Sequence, residues 1–501
     1  MKKLFFSLFT IGGITINAQQ VDYASMMENP SSNFSQIQEA FRLNWQNKDR
    51  HVKGKGYKAF KRWEYFHEKR LTQQGELVNS NALNFFEYKN YFGINKNQSS
   101  LRISGPTSNV AGSWSYIGPP NGVSSSGGAG RATFIRFDPL NPSIMYTGSP
   151  AGGLWKSING GSSWSPLADE LASIGCSDLV IDPSNTNVLY LATGDTDGKD
   201  TYSIGVLKST DGGLTWSATG LMFAVNQSYT IAKMLVDPLN PQIIYAATST
   251  GLMKTVDGGV NWVMIKNTGF RDIEFKPFNS NTIYGTNNSS FWFSKDGGAT
   301  WGATPTNFAG SVGRSSLAVT PADSNYIYIL GAKGASGSAA DYGFEGIVRS
   351  TDGGQSFSLM SSSPNILGWN TNGNDQGGQG WYDLALACSP VNKNLIFTGG
   401  VNLWKSTNGC ATLSNCSNWF GSGNSYAHAD QHAIEFLPGS GTTVFVANDG
   451  GVFKTTNTGT SWSDFSTDLC IAQQYNLGVS QTTPGITLTG WQRSEEHTSE
   501  L

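Results

Sequence analysis

The chain has 501 residues, a formal net charge of −3 and only 14% charged residues. This balance argues against nucleic acid as the main partner, because nucleic-acid-binding surfaces carry an excess of positive charge. The 60 glycines and 12% aromatic residues instead favour a turn-rich β protein with rings that anchor its turns.

Residues 1–18 are typical of a secretory signal peptide. Two lysines precede the apolar run LFFSLFTIGGITI, and Ala18 ends the segment. The run is too short for a transmembrane helix, and no later stretch reaches 18 apolar residues. We therefore predict a protein that is secreted or held at the cell surface, without a transmembrane segment.

Residues 19–112 predict a helical N-terminal region. Its first apolar residues recur at helical spacing: Phe34, Ile37, Phe41 and Trp45. The segment GYKAFKRWEYFHEKR (56–70) predicts a second, basic helix. Its Lys/Arg run has two interpretations: contact with a membrane or an anionic glycan, or a solvent-facing side of a docked helix.

From residue 113 onward, an eight-residue turn motif recurs about 40–55 residues apart. STDGGLTW (209–216) is one copy, and a turn with proline followed by a β-rich run accompanies most copies. The acid or amide and the closing ring of six copies are Asn159 and Trp164, Asp211 and Trp216, Asp257 and Trp262, Asp296 and Trp301, Asp352 and Phe357, and Asn457 and Trp462. A seventh copy starts at Ser406, and we interpret it as interrupted, with its ring displaced to Trp419.

Each unit predicts four short strands, which we call a, b, c and d. Asp, Asn and Ser cap backbone N–H groups in the c–d turn, glycine supplies positive φ, and the ring buries apolar surface. Four-stranded units of this length are propeller blades. The predicted fold class is all-β: a propeller with seven blades over 113–470, and strands a and b of a truncated eighth unit over 471–492.

The turn motif resembles the Asp box, S-x-D-x-G-x-T-W/F, of BNR-repeat and sortilin (Vps10) propellers. The resemblance implies the fold and a structural role for the boxes, because Asp boxes occur in sialidases, xyloglucanases, sorting receptors and assembly factors. The chain also resembles exported bacterial proteins that end in a type IX sorting domain, which implies type IX secretion.

The end of the sequence departs from the repeat. RSEEHTSEL (493–501) has no β pattern and matches the translation of a common sequencing-library adapter. We interpret it as an artefact and the chain as a fragment. SWSYIGPP (113–120) resembles a strand d without its blade, and we expect it to complete the eighth unit.

The five cysteines suggest one disulfide. Cys410 and Cys416 lie within the interrupted copy, and we predict that they form a local disulfide in the exported protein. Cys176, Cys388 and Cys470 are expected to be buried strand residues, and their spacing suits no zinc site.

Candidate binding residues cluster where strands a begin and where b–c loops lie, because these segments share one face of a propeller. His428, Asp430 and His432 alternate, so a strand would direct all three to the same side. The others on this face are Tyr382 and Asp383, Asp449, and the basic residues Arg131 and Arg271. The group has three interpretations: a hydrogen-bonded network between blades, a divalent metal site, or an organic ligand site.

An acidic b–c loop, GDTDGKD, is a weak candidate for calcium through Asp195, Asp197 and Asp200. It lacks the residue order and the bidentate glutamate of an EF-hand. We therefore expect no bound metal or other cofactor, with calcium as the alternative.

Two glycosidase resemblances are incomplete. Xyloglucanase-type propellers carry an aspartate in a first-blade T-D-x-G-G stretch and a partner acid in a second propeller. The matching stretch here, GSPAGGLW, has Pro150 at that position. A sialidase needs three arginines and a tyrosine, for which Arg131, Arg271, Arg314 and Tyr382 are the candidates. The arginines lie eight, six and seven residues before their prolines, which predicts that one points to the opposite side.

The sequence favours a secreted, non-enzymatic propeller that binds an extracellular protein or glycan. The alternative is a sialidase-like or xyloglucanase-like glycoside hydrolase with an incomplete catalytic set. No oligomeric state follows from the sequence.

Overall fold

The structure, a computed structural model, describes residues 128–479 except 170, 172–174, 289 and 422–424, and also strand 487–491. Nearer the N terminus it describes 23–28, 32–48, 50, 57–68, 71, 74–75 and 77. The chain divides into two compact units, Met1–Trp114 and Ser115–Leu501. The predicted signal peptide and the segments 113–120 and 493–501 lie outside the described residues.

The described part of the first unit contains α1 (Tyr23–Glu28), α2 (Phe34–Asn44) and α3 (Tyr57–Glu68). Asn33 caps α2, because its side chain accepts a hydrogen bond from the Ser35 amide at 3.0 Å. The helices bury an apolar cluster of Phe34, Ile37, Phe41, Trp45, Phe60 and Leu77. No helix in the described part of the chain is long and apolar enough to cross a bilayer.

The second unit contains seven antiparallel sheets, and each takes four consecutive strands in the order a-b-c-d. Blade 1 contains β1 (Phe134–Phe137), β2 (Met145–Ser149), β3 (Gly153–Ser157) and β4 (Ser165–Pro166). Blade 2 contains β5 (Cys176–Ile181), β6 (Leu189–Thr193), β7 (Gly205–Ser209) and β8 (Ser217–Met222). Blade 3 contains β9 (Ile231–Val236), β10 (Ile244–Thr248), β11 (Gly251–Thr255) and β12 (Val263–Lys266). Blade 4 contains β13 (Asp272–Lys276), β14 (Asn279–Asn287), β15 (Ser290–Ser294) and β16 (Gly302–Pro305).

The remaining blades follow the same order. Blade 5 contains β17 (Val312–Val319), β18 (Ile327–Lys333), β19 (Phe344–Ser350) and β20 (Ser358–Ser361). Blade 6 contains β21 (Ala385–Cys388), β22 (Ile396–Gly399), β23 (Leu403–Ser406) and β24 (Ser414–Ser417). Blade 7 contains β25 (Gln431–Phe436), β26 (Val444–Asn448), β27 (Gly451–Thr455) and β28 (Ser463–Asp464). An antiparallel pair follows, β29 (Gln474–Val479) and β30 (Thr487–Trp491).

The seven blades close into a ring. Each strand a contacts strand a of the next blade, and β25 of blade 7 contacts β1 of blade 1. Two backbone hydrogen bonds cross this last junction: the Ala129 amide donates to the Gly450 carbonyl at 2.8 Å, and the Ala132 amide to the Asn448 carbonyl at 2.9 Å. The fold is a seven-bladed β-propeller, as predicted.

The c–d turns have the hydrogen bonds that the motif predicts. In the turn of blade 2, Ser209 Oγ donates to Asp211 at 2.7 Å and accepts from the Gly213 amide at 2.9 Å. Asp211 also accepts from the Thr215 amide at 2.9 Å, and Gly213 has a φ of +94°. Trp216 is buried, and its Nε1 donates to the Leu167 carbonyl of blade 1 at 3.2 Å. The turn thus stabilises its own blade and the junction with the preceding one.

Side chains on strands b and c also join neighbouring blades. Tyr190 of β6 and Lys208 of β7 both donate to the Gly258 carbonyl in the c–d turn of blade 3, at 3.1 Å each. Tyr245 and Lys254 repeat this arrangement one blade later, on the Gly297 carbonyl. These tyrosines and lysines therefore hold the c–d turn of the next blade.

The turn of blade 6 is complete, so the predicted interruption is wrong. Ser406 Oγ donates to Asn408 at 2.9 Å, and the Cys410 amide donates to Ser406 Oγ at 2.9 Å. Leu413 occupies the position of the closing ring and is buried. An apolar leucine can fill this position, because the turn requires buried apolar surface rather than an aromatic ring.

The predicted disulfide is also wrong, because Cys410 and Cys416 are both free. Cys410 packs in the apolar layer between blades 5 and 6, near Tyr328, whereas Cys416 packs between blades 6 and 7, near Phe397. The two side chains thus lie on opposite sides of the blade 6 sheet. Cys470 is exposed and outside the strands, contrary to expectation.

Candidate functional site

The face formed by the starts of strands a and by the b–c loops carries a charged network, which we call the mouth network. It consists of Arg131, Asp195, Asp197, Arg314, Tyr382, His432 and Asp449. These residues come from blades 1, 2, 5 and 7 and from the loop before blade 6, so only the closed ring brings them together.

Arg131 and Asp195 form a buried, bidentate ion pair between blades 1 and 2. The two Nη–Oδ distances are 2.7 and 3.0 Å, and both side chains are 1% exposed. Asp195 also accepts hydrogen bonds from the amides of Asp197 and Asp200, both at 3.0 Å. The Arg131 guanidinium lies 5.0 Å from the centre of the Tyr382 ring. The pair fixes the acidic loop of blade 2 against blade 1.

Asp197 links three blades. It accepts from Arg314 Nη2 of blade 5 at 2.8 Å and from His432 Nδ1 of blade 7 at 2.9 Å. Burial by itself would raise the pKa of this carboxyl, but Arg314, His432 and Arg131 outweigh burial and lower the pKa. Asp197 is therefore ionised at neutral pH.

His432 lies between two carboxylates. Its Nδ1 faces Asp197, and its Nε2 lies 2.8 Å from Asp449 Oδ1. Burial and Arg131 both disfavour the charged imidazole, yet the hydrogen bonds to the two carboxylates raise the pKa of His432. Tyr382 donates to both oxygens of Asp449 at 3.0 Å. The arrangement suits an imidazolium that donates from both nitrogens.

The alternation predicted for His428, Asp430 and His432 does not occur. Strand β25 begins at Gln431, and Asp430 has a φ of +64°, so the first two residues precede the strand. Asp430 accepts from Gln379 Nε2 at 2.5 Å, and His428 Nδ1 lies 3.3 Å from the Ala429 carbonyl. The carboxylates that act on His432 are instead Asp197 and Asp449, which belong to b–c loops.

The three arginines converge, although their spacing predicted that one would point away. Arg131 contacts Asp195, Arg314 contacts Asp197, and Arg271 Nη1 donates to the Thr196 carbonyl at 3.2 Å. The pairing of β17 with β18 shifts register between Val312 and Arg314, which changes the parity of that strand. The arginines of the sialidase-like interpretation therefore bind an acidic loop of this chain.

Asp383 is a buried acid beneath this face. It is 0% exposed, and neither carboxyl oxygen has a hydrogen-bond partner on another described residue. Burial, and then the charges of Asp430 and Asp449, raise its pKa well above the usual range. The surroundings of this side chain therefore disfavour its charged form.

The acidic loop of blade 2 faces arginines. Asp200 Oδ2 lies 3.7 Å from Arg131 Nη1, in addition to the ion pairs of Asp195 and Asp197. Within the described residues, no group of three or more His, Cys, Asp or Glu side chains has an arrangement that could hold a metal ion. Arginine side chains supply the positive charge around these carboxylates.

A cavity of about 320 Å³ lies along the ring axis and is lined by strands a of all seven blades. Besides residues of the mouth network, its lining contains the ion pairs of Arg136 with Asp178 and Glu435, and of Lys233 with Asp272 and Glu274. Sequence reasoning missed this group, although each member occupies a strand-a position. The pairs join blades 7, 1 and 2, and blades 3 and 4.

The b–c loop of blade 1 contributes no carboxylate to this face within 149–153, SPAGG. Pro150 occupies the position where the xyloglucanase resemblance implies an acid. Its carbonyl accepts a hydrogen bond from Thr201 Oγ1 of the next blade at 2.8 Å. The loop thus contacts blade 2 at this point.

The family model "Sortilin, neurotensin receptor 3" matches residues 250–397. Among curated proteins, a xyloglucanase of Hypocrea jecorina is 30% identical over 205 residues, which are 38% of this chain and 24% of that protein. Xyloglucanase Xgh74A of Acetivibrio thermocellus is 28% identical over 219 residues, 36% of this chain and 26% of that protein. The chain therefore spans about a quarter of the length of these relatives.

Solved structures show the same fold. The GH74 xyloglucanase of Xanthomonas campestris superposes with a TM-score of 0.56 at 16% identity, over 73% of this chain and 58% of that chain. The GH74 enzyme of Niastella koreensis gives 0.52 at 21% identity, over 72% and 57%.

These findings correct the prediction of a non-enzymatic binding module. The curated proteins that resemble this sequence are xyloglucanases, so the findings favour a glycoside hydrolase.

Proposed function

We propose that this propeller is part of a secreted glycoside hydrolase that acts on a xyloglucan-type β-glucan. The observation that carries the proposal is the sequence similarity to two xyloglucanases, at 28–30% identity over more than 200 residues. The type IX export that the sequence resemblance implied fits the same proposal, because an enzyme that acts on a polysaccharide encounters it outside the cell.

The buried and the accessible residues of the mouth then have different roles. Arg131, Tyr382 and Asp449 are at most 5% exposed and hold the loops, whereas Arg271 is exposed and His428 and Asp430 are half-buried. We assign substrate contact to this second group.

Asp430 is our candidate for the acid or base that this ring supplies. Glycoside hydrolysis uses two carboxyl groups across the scissile bond. Asp430 carries a carboxylate that is only half-buried and is oriented by Gln379. On blade 1, Pro150 stands at the position where the resemblance implies an acid, so blade 1 does not supply it there. The resemblance assigns the partner acid to a second propeller.

Reducing-sugar release from xyloglucan, carboxymethylcellulose and sialyllactose tests this function. We expect hydrolysis of xyloglucan by the full-length wild-type protein, which supplies the partner acid, and a loss of about 10²-fold or more in Asp430→Asn. Asp211→Asn, in a c–d turn, is the matched control and should retain full activity. A wild-type protein that hydrolyses no neutral β-glucan would overturn the proposal, and full activity in Asp430→Asn would exclude the assigned residue.

A further inference from the structure

A shallow pocket of about 230 Å³ lies on the loops that flank blade 6. It is lined by Trp369, Asn370, Thr371, Asn372, Asn374 and Phe420. The segment from Trp369 to Asn374 belongs to the loop between β20 and β21, and Phe420 to the loop between β24 and β25. Both loops join a strand d to the next strand a, so the pocket opens on the same face as the mouth network.

The aromatic side chains of this pocket are unusually exposed. Trp369 is 50% exposed and Phe420 is 49% exposed, whereas Trp164 and Trp216 in the c–d turns are at most 7% exposed. Exposing two large rings in one pocket leaves apolar surface in water, which is unfavourable unless a ligand covers it.

The lining also defines the chemistry of a ligand. It offers two ring faces, three amides and one hydroxyl group, and it includes no charged side chain. Amides both donate and accept hydrogen bonds, which matches the hydroxyl groups of a sugar. Ring faces match the apolar C–H face of a pyranose. A neutral carbohydrate fits this set better than an anion or a cation does.

The backbone of the pocket is fixed before any ligand binds. Asp375 Oδ2 accepts from the amides of Trp369 at 2.5 Å and Asn370 at 3.1 Å. Asn402 Nδ2 donates to the Trp369 carbonyl at 3.0 Å, and Asn370 Nδ2 donates to Asn374 Oδ1 at 2.9 Å. A prearranged loop loses less conformational entropy on binding.

We propose that this pocket is a sugar-binding subsite that holds one pyranose ring of a neutral β-glucan, stacked on Trp369 and Phe420. The substrate class rests on the proposed function, but the assignment of the subsite rests on the pocket itself. The volume is below the roughly 300–1,000 Å³ that encloses a drug-sized ligand, which suits one unit of a polymer. A chain bound here would continue across the same face as the mouth network.

Affinity electrophoresis and calorimetry with soluble xyloglucan test the subsite. We expect Trp369→Ala and Phe420→Ala each to weaken binding about tenfold, and Trp369→Phe to restore part of the affinity. Phe278→Ala is the matched control, because Phe278 is 87% exposed but lies in an a–b turn, at the other end of the strands. The control should bind as the wild type does.

The outcomes separate this inference from the proposed function. Wild-type binding without hydrolysis, lost in Trp369→Ala, would support the subsite and overturn the enzyme. Hydrolysis and binding that are unchanged in both alanine variants would overturn the subsite and leave the enzyme. Absence of wild-type binding to xyloglucan would also overturn the subsite. Binding to the anionic polymer carboxymethylcellulose that is as strong as binding to xyloglucan would overturn it too, because the protein would then recognise charge.

Discussion

The two ends of a blade both lower the pKa of an aspartate, but by different physical causes. Asp211 in a c–d turn accepts hydrogen bonds from its own turn, and those from Thr215 and Ser209 lower its pKa to about 2. Asp197 at the mouth is ionised because charges from blades 5, 7 and 1 outweigh its burial. The direction of the pKa shift is the same, but one cause is local and visible in the sequence, whereas the other exists only in the closed ring.

The largest expected effect concerns the mouth. Arg131→Met leaves Asp195 buried without its counter-charge, which should lower the free energy of unfolding by about 3–5 kcal/mol. Urea titration measures this change. Arg131→Met combined with Asp195→Asn removes both charges and should recover most of the loss. A single variant as stable as the wild type would show that the pair contributes nothing to the ring.

A smaller effect is expected at the turn. Ser209→Ala removes the acceptor of the buried Gly213 amide and should cost about 1–3 kcal/mol. Ser217→Ala is a control on the same blade, since Ser217 Oγ is exposed and donates only to the Lys208 carbonyl. A cost at the turn as large as that of Arg131→Met would remove the distinction between local and ring-wide stabilisation.

The pH dependence sharpens the comparison further. The folded state raises the pKa of His432 above its unfolded value of about 6.5, so its contribution is complete below that pH. The contribution is lost as pH rises through the folded pKa. Urea titrations between pH 6 and pH 9 should therefore show falling stability, with a shallower slope in His432→Gln. Arg131, Asp197, Asp449 and Tyr382 surround the ring, and equal slopes would assign the dependence to another group.

The smallest expected effect is on the cysteines. Because Cys410 and Cys416 are free and lie on opposite sides of blade 6, a reducing agent should leave the melting temperature unchanged. Mass spectrometry of the protein alkylated in denaturant without a reductant should find both thiols modified, because unfolding exposes these buried side chains. A melting temperature that falls on reduction would indicate a bond that the structure does not contain.

The sequence predicted the propeller because each c–d turn is formed by contacts between residues that are close in sequence. Ser209, Asp211 and Gly213 contact one another within five residues, so their spacing carries the whole geometry. It misjudged blade 6, because the turn accepts Leu413 where the pattern requires a ring. Local patterns therefore identified the blades but not every substitution that they tolerate.

The mouth network could be predicted only in part. Arg131 and His432 were candidates because they precede or begin strands a, but their partners lie in b–c loops: Asp195 and Asp197 in that of blade 2, and Asp449 in that of blade 7. The orientation of Arg314 depends on a register shift in the pairing of β17 with β18, and no residue type in the sequence indicates this shift. The subsite around Trp369 was missed, because exposure of a ring is a property of the folded loop.

The way the ring closes has a consequence for how the protein is made. Every blade is built from consecutive strands, so each sheet can form as soon as its own residues leave the ribosome. The junction of blade 7 with blade 1 must wait for the last blade, and it brings Ala129 and Ala132 to Gly450 and Asn448, and the Trp164 indole to the Phe465 carbonyl at 2.7 Å. Biosynthesis thus leaves the closure of the ring for the end, and an incomplete blade 7 leaves the apolar face of blade 1, with Ile135, Met145 and Trp155, uncovered.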